Sequence, residues 1–371
     1  MKNNLLLSGI ALTLSLTGIS NAADVGGKAI EGVHKADAAT IEAQNAALSN
    51  NTNGKGYGPQ SPRDLAQVKG QNTGVFLPAP AFSQMNLCNI HFHENAEHKG
   101  GEFTKFAGHG DGHGYGTGYR YSGKLNAREA KPLEEEVCVG KHGGLQSGDT
   151  IELHYVFSTA QVKPGATLGA CLNEAVANPQ LRVEAQVFVL VNDQKAADFQ
   201  RLTEVGQVNG YHQPLHMPSK TGVPIRYAGS TTGPAYNEKG SPLQVSWSVR
   251  PKVLKVNVAS VGQWCKANAF AEDHAHGVRN LVIDPKLVRI IFTPQLLTNL
   301  HLRRTRHPLP KEVVALSLLP VAVFSNTIST IAKRSGGGGG ENRHPTTQAA
   351  SGMERVLAPQ IIREDMHPTR R

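Results

Sequence analysis

The chemically richest stretch of this sequence is Cys88–His98, which holds three histidines and two glutamates. Its first part alternates apolar and polar residues, and this pattern predicts a strand over Asn86–His93. Side chains two residues apart on a strand point to the same face, so His91 and His93 project together. Two imidazoles on one face make up half of the donor set of a tetrahedral zinc site.

A second alternating segment, Ile151–Ser158, offers a third histidine. Glu152 and His154 share one face of this predicted strand, and Leu153 and Tyr155 share the other. If the two strands are neighbours, His154 completes a three-histidine site and Glu152 accepts an N–H from a ligand histidine, which fixes its tautomer. Three neutral histidines leave one position for water, whose pKa falls to about 7 on zinc. The pattern therefore predicts a zinc ion that generates a hydroxide nucleophile.

Two other groups of histidines could supply the third ligand. His98 is close in sequence, but it follows a predicted turn at Glu94 and Asn95. The glycine-rich segment 108–114 carries His109 and His113 in a predicted loop. We expect His154 to be the third ligand.

The rest of the chain favours strands separated by Gly and Pro. Further strands are predicted over Leu181–Val191, Leu243–Val249 and Val253–Val258. Short helices are predicted over Ala38–Ser49, Cys171–Ala177 and Ala267–Ala275. The sequence has no P-loop, no dinucleotide-binding glycine motif after a strand and no G-x-S-x-G elbow. A mainly β (α+β) single domain with a large sheet, long loops and few short helices follows.

The start of the chain resembles a secretory signal. Met1–Ala22 contains Lys2, the apolar run Leu5–Ile19 and a small-residue cleavage site at Ser20–Ala22. We therefore expect export to the periplasm or the medium, where cysteines oxidise.

The chain has four cysteines, an even number, and none lies in a C-x-x-C pair, so two disulfides are favoured over a metal site. Three pairings are possible, and we favour Cys88 with Cys138 and Cys171 with Cys265.

The formal charge of +9 is unevenly distributed. Residues 289–371 hold 12 basic and 5 acidic residues, whereas residues 23–288 hold 25 and 24. A nearly neutral body argues against a nucleic-acid partner. We divide the chain into a signal peptide (1–22), a flexible N-terminal arm (23–56), a catalytic domain (57–288) and a basic tail (289–371). The tail is expected to be disordered or a non-native extension, with an anchor at the apolar run 313–332 as the alternative.

Four segments together resemble the carbonic anhydrases. His91–His98 resembles the H-F-H-x-x-S-E-H segment of bacterial α-class enzymes, and Ile151–His154 resembles their E-x-H strand. Tyr227–Pro234 is similar to the segment that carries their catalytic threonine, shortened by one residue, and Gly58–Leu65 is similar to their Q-S-P-x-D/N-I segment. The sequence around Leu87–His93 and the long insert before Glu152 resemble those of the δ-class carbonic anhydrases.

The resemblance implies a large central, mostly antiparallel twisted sheet and a zinc cofactor on His91, His93 and His154. It implies that Glu152 and Asn89 orient ligand histidines. It also implies that Thr231 bonds zinc-bound hydroxide and Glu97, while Thr232 lines the substrate pocket; the shortened segment lets the two threonines exchange roles. The α-class proton-shuttle histidine has no clear counterpart, and the candidates are His109, His113 and His142.

The predicted function is the reversible hydration of carbon dioxide to bicarbonate by a carbonic anhydrase, a lyase. One rival is a non-catalytic binding protein of the same fold, although all three zinc histidines are present. The other is a cupin-like metalloenzyme, because H-x-H followed by Glu97 matches part of a cupin motif. Met85 and Thr104 stand where that motif has glycines, and no second cupin motif follows. Oligomeric state is left open.

Overall fold

The computed structural model describes residues 35–231 and 233–290. The predicted signal peptide, the first part of the N-terminal arm, Thr232 and the tail from residue 291 lie outside the described residues. Among the residues that are described, no helix is both long and apolar enough to cross a membrane.

The described chain forms short helices and many strands. The helices are α1 (Ala38–Thr52), α2 (Phe199–Leu202) and α3 (Val258–Lys266). The strands are β1 (Asn86–Glu94), β2 (Lys105–Phe106), β3 (Tyr119–Arg120), β4 (Val137–Gly140), β5 (Gly143–Leu145), β6 (Thr150–Ser158), β7 (Leu181–Val191), β8 (Val205–Val208), β9 (Tyr211–Pro214), β10 (Ile225–Ser230), β11 (Gln244–Val249) and β12 (Leu254–Asn257).

The centre of the fold is a mixed sheet in the order β1-β6-β7-β11-β10, with β12 also paired to β7. Pairing is antiparallel between β1 and β6, β6 and β7, and β10 and β11. It is parallel where β7 meets β11 and β12. The predicted mainly β fold on one large sheet is confirmed.

Both faces of this sheet are covered, which explains why every residue of β6 is buried. One face packs a core around Phe92, Leu153, Tyr155 and Trp264. The other packs a core around Trp247. The polar residues of β1 and β6 are thus held between apolar layers, where their side chains have few alternative rotamers.

The register of β1 on β6 decides where the polar side chains meet. His91 lies opposite His154, and His93 lies opposite Glu152. A shift in register between Leu87 and Asn89 precedes this pairing. A change of register by one residue would turn one of these side-chain sets to the opposite face, so the bulge at Cys88 helps to set the site.

The helix predictions are correct in one region and wrong in two. Helix α1 covers the predicted Ala38–Ser49, with the Asp37 side chain accepting the Thr40 N–H at its start. Residues 172–177 are not helical; a short 3-10 turn, Leu168–Cys171, precedes them instead. Residues 267–275 are also not helical. The Asn268 side chain hydrogen-bonds the backbone of Trp264 and Phe270, and this competes with continuation of α3 beyond Lys266.

Helix α1 packs against the strand-rich part of the fold. Leu48 is buried with Val282, Leu287 and Val288. The Gln44 side chain donates to the Gly112 carbonyl at 2.9 Å. The described part of the N-terminal arm therefore packs on the domain.

Two disulfides form, but the favoured pairing is wrong. Cys88 bonds Cys171, and Cys138 bonds Cys265. Cys88 sits at the bulge of β1 beside the loop that leads to β7, while Cys138 on β4 lies against α3. Pairing was decided by packing between elements far apart in sequence, not by the order of the cysteines. Two disulfides indicate an oxidising compartment.

Candidate metal centre

Three histidines converge between β1 and β6. His91 and His93 project from one face of β1, and His154 projects from β6 opposite His91. Their candidate ligand atoms lie within 4.8 Å of one another. The strand spacing that predicted this juxtaposition therefore produces it.

An acceptor fixes the outer nitrogen of each ring. Nδ1 of His91 donates to Oδ1 of Asn89 at 2.6 Å, and the Asn89 amide is oriented by its own bond to the Gly165 carbonyl. Nδ1 of His93 donates to the carbonyl of Gly277 at 2.9 Å. Because these acceptors carry no proton to give, each ring must carry its proton on the outer nitrogen.

The third ring follows the same rule with its nitrogens exchanged. Nε2 of His154 donates to Oε1 of Glu152 at 2.8 Å, so Nδ1 carries the lone pair. Neutral rings held in this way turn three lone pairs toward one point, which is the arrangement a metal ion requires.

The inner atoms fit a tetrahedral ion. Nε2 of His91 lies 3.3 Å from Nδ1 of His154. Two nitrogens each about 2.0–2.1 Å from one tetrahedral zinc are separated by about 3.3–3.4 Å. Nε2 of His93 is buried and has no hydrogen-bond partner within the described ranges. A shared cation accounts for both observations.

Burial favours the neutral rings that metal binding needs. It lowers the pKa of His91 well below its usual value, and the neighbouring His154 lowers it further. Burial also lowers the pKa of His93 to about 4, although Glu97 opposes the shift. Both rings are therefore neutral at pH 7.

A second layer of hydrogen bonds surrounds Glu152. Its Oε1 also accepts from Nδ1 of His98 at 2.5 Å, and its Oε2 accepts the His98 backbone N–H at 3.0 Å. Burial alone would raise the pKa of this carboxyl, but the histidine donors hold it well below its usual range. Nε2 of His98 bonds the Tyr227 hydroxyl at 2.7 Å. Both ring nitrogens of His98, the alternative third ligand, are thus hydrogen-bonded, one to Glu152 and one to Tyr227.

A buried ion pair adjoins the centre. Arg63 donates through Nε to Oε1 of Glu97, and Oε2 of Glu97 lies 3.6 Å from Nε2 of His93. Burial would raise the pKa of the Glu97 carboxyl, but the Arg63 guanidinium and nearby histidines hold it at about 2. Glu97 is therefore an anion that only accepts hydrogen bonds.

Comparison with known proteins gives the family. Residues 82–260 match the family model described as Delta carbonic anhydrase. These residues form a delta carbonic anhydrase domain. The enzyme class of that family is carbonic anhydrase, a lyase. The match spans β1, β6 and β11, so it includes all three convergent histidines.

An alpha-carbonic anhydrase of Photobacterium profundum is 16% identical, with a TM-score of 0.22, over 62% of this chain and 88% of that chain. At that score the likeness supports no structural conclusion. No curated protein sequence matches this chain.

The threonine segment of the domain is described at Thr231 but not at Thr232. The Thr231 side chain is buried, and its Oγ1 shares a 2.8 Å hydrogen bond with Oγ of Ser241. The Thr231 backbone N–H donates to the Leu243 carbonyl, which continues the pairing of β10 and β11 by one residue. The predicted roles of Thr231 and Thr232 therefore remain predictions.

The shuttle candidates lie on loops of the carbonic anhydrase domain. The His142 ring stacks on Tyr115 with centroids 3.6 Å apart, and its Nδ1 lies 3.8 Å from the Asp111 carboxylate. The His109 ring packs edge-on against Phe106. His113 is exposed. The His142 contacts are therefore with loop residues, and the His109 contact is with β2.

Sequence reasoning missed His276, a partly exposed histidine beside the centre. Its ring centroid lies 5.5 Å from that of His91 and 5.9 Å from that of His93. The His276 side chain is 44% exposed, and its Nε2 bonds Oε2 of Glu272 at 2.5 Å. The second H-x-H of the chain, His274 and His276, was the available signal.

Proposed function

We propose that this chain reversibly hydrates carbon dioxide to bicarbonate and a proton, with zinc as its cofactor. The observation that carries the proposal is the convergence of three neutral imidazoles whose outer nitrogens are all engaged. When bound there, zinc acts as a Lewis acid that makes a water-derived nucleophile available at neutral pH.

The residues of the chain have separate tasks in this proposal. His91, His93 and His154 hold the ion, and Asn89 and Glu152 keep the rings oriented. The rigid sheet keeps all five side chains in place before substrate arrives, which lowers the reorganisation needed during reaction.

Glu97 sets the direction of hydrogen bonding next to the centre. An ionised carboxylate only accepts hydrogen bonds, so a threonine hydroxyl that bonds Glu97 must donate its proton to it. The same hydroxyl can then only accept a hydrogen bond from a donor at the reacting centre. We assign this hydroxyl to Thr231, with Thr232 lining the substrate pocket, or to the same two residues exchanged.

The released proton must reach solvent. We propose that His109, His113 or His142 carries it, with buffer as the alternative acceptor. The near-neutral body suits an uncharged substrate such as carbon dioxide. Given the two disulfides and the predicted signal peptide, we place the enzyme in the periplasm or outside the cell.

Hydration of carbon dioxide by the purified full-length chain tests this proposal. Zinc content and stopped-flow activity are measured together, before and after treatment with a chelator and after zinc is restored. We expect activity to disappear with zinc and return with it. A zinc-loaded protein without hydration activity would indicate a binding protein, and iron or manganese in place of zinc would favour the cupin-like alternative.

A further inference from the structure

Arg63 is a buried arginine held beside the metal centre. Its side chain has no solvent exposure, and its backbone adopts a φ of 60°. The backbone of this segment pairs with the segment that follows Glu97: Lys99 N–H donates to the Arg63 carbonyl at 2.8 Å, and Leu65 N–H donates to the Lys99 carbonyl at 2.9 Å. This pairing brings Arg63 next to Glu97.

The guanidinium of Arg63 is fixed at two points. Nη1 donates to the Ser61 carbonyl at 2.9 Å, and Nε donates to Oε1 of Glu97. The other carboxylate oxygen, Oε2, faces His93 at 3.6 Å. The two oxygens of Glu97 therefore have different neighbours, one on the arginine side and one on the side of the metal centre.

We propose that Arg63 is a positioning residue that fixes which oxygen of Glu97 faces the metal centre. The proposal rests on the proposed function of the site. The terminal torsion of a glutamate has a broad, nearly two-fold profile, so a carboxylate without such a clamp samples many orientations. A planar guanidinium anchored on a backbone carbonyl restricts that rotation, whereas a lysine offers only a point charge.

A purely structural role makes a different prediction. Arg63 and Glu97 are both buried, and a second buried arginine, Arg279, bonds Oγ of Ser230 nearby at 3.4 Å. If Arg63 only balanced charge, its loss would lower stability but leave the activity of folded, zinc-loaded protein unchanged. Replacing both members of a buried ion pair is often tolerated, whereas removing one member is costly.

Four variants of the full chain separate these roles: Arg63→Lys, Arg63→Met, Glu97→Gln and the double variant Arg63→Met with Glu97→Gln. Each is measured for zinc content, thermal midpoint, kcat and KM for carbon dioxide. The matched control is Arg182→Met, which removes a partly buried arginine that pairs with Glu184 on β7.

We expect Arg63→Met to lower kcat per bound zinc by about 10- to 100-fold, as loss of outer-sphere partners commonly does, with little change in KM. Arg63→Lys should recover part of that loss. Because Arg63 acts through Glu97, the double variant should be no slower than Glu97→Gln alone. The double variant and Arg63→Lys also keep the test valid if Arg63→Met fails to fold.

The inference is overturned if the zinc-loaded double variant is slower than Glu97→Gln alone, because Arg63 would then act independently of Glu97. It is also overturned if kcat per zinc stays within twofold of the parent in every folded Arg63 variant. A zinc-loaded parent chain without hydration activity would instead refute the proposed function, and this inference with it.

Discussion

The histidines on strands β1 and β6 and the histidines outside the strands differ in what holds their rings. His91, His93 and His154 each give their outer nitrogen to a fixed acceptor in or beside the sheet. The partly buried His142 and His276 lie outside the named strands, and their rings rest on ring contacts and single carboxylates. Regular strands thus fix the outer nitrogens of these rings, whereas ring contacts and single carboxylates hold the rings outside the strands.

The largest expected effect comes from removing a buried histidine. In His154→Ala the centre loses one lone pair, so we expect zinc to be lost. Activity should fall by more than the about 10- to 100-fold that loss of an outer partner costs. His142→Ala should retain full zinc. Metal analysis after gel filtration and stopped-flow assays measure both, and a zinc-loaded His154→Ala would refute the ligand assignment.

A smaller loss is expected from Glu152→Gln. The Glu152 carboxylate accepts hydrogen bonds from the rings of His154 and His98 and from the His98 backbone N–H. The amide of Gln has only one acceptor oxygen, so its NH2 group would face at least one of these donors. Zinc affinity should fall by about 10- to 100-fold. Competition with a fluorescent chelator measures it. Glu184→Gln, at another buried carboxylate of the sheet, is the control; equal losses in both variants would contradict a specific role.

The strands and the convergence of the three histidines were predictable because their signals are local. Period-two alternation placed His91 with His93, and Glu152 with His154, on shared faces. A regular pairing then brought the two sets together. The same reasoning could not identify Gly277 as the partner of His93, since a backbone carbonyl 184 residues away has no side-chain signal.

Other features depended on packing that no local pattern encodes. The disulfides join Cys88 to Cys171 and Cys138 to Cys265 because of where β1, β4 and α3 lie. Arg63 was visible only as a residue within a motif. Its burial against Glu97 arises from backbone pairing with Lys99, a contact between separate segments.

The two disulfides should differ in their effect on the metal. Each closes a loop of roughly a hundred residues, so removing either by paired Cys→Ser substitution should cost about 2–5 kcal/mol. Only Cys88 is adjacent to Asn89, and its carbonyl accepts the Gly165 N–H. Zinc affinity should therefore fall for Cys88→Ser with Cys171→Ser. Equal affinities in the two double variants, measured by zinc titration, would contradict this coupling.

Acid should weaken the metal-free protein through its buried histidines. Because the folded-state pKa of His93 is about 4, against an ordinary value of 6.5, the unfolded chain binds more protons between these values. Stability therefore falls as pH drops from about 6.5 to 4, and the contribution of Glu97 is lost below that, toward pH 2. Urea unfolding in chelator at several pH values tests this; His93→Gln should show a shallower slope above pH 4. Identical slopes would contradict it.

The smallest effect is expected at the loop histidines, where buffer can replace what the protein provides. Changing His109, His113 and His142 together to Ala should lower kcat several-fold in dilute buffer, leave kcat/KM unchanged, and be reversed by added imidazole, because buffer then accepts the proton. His276→Ala is measured in parallel, since that ring is partly exposed and adjoins His91. A buffer-sensitive loss confined to His276→Ala would move the proton path from the glycine-rich loop to the rim of the metal centre. The contrast between strand and loop histidines would then narrow, because the His276 backbone is hydrogen-bonded to Phe92 and Glu94 of β1.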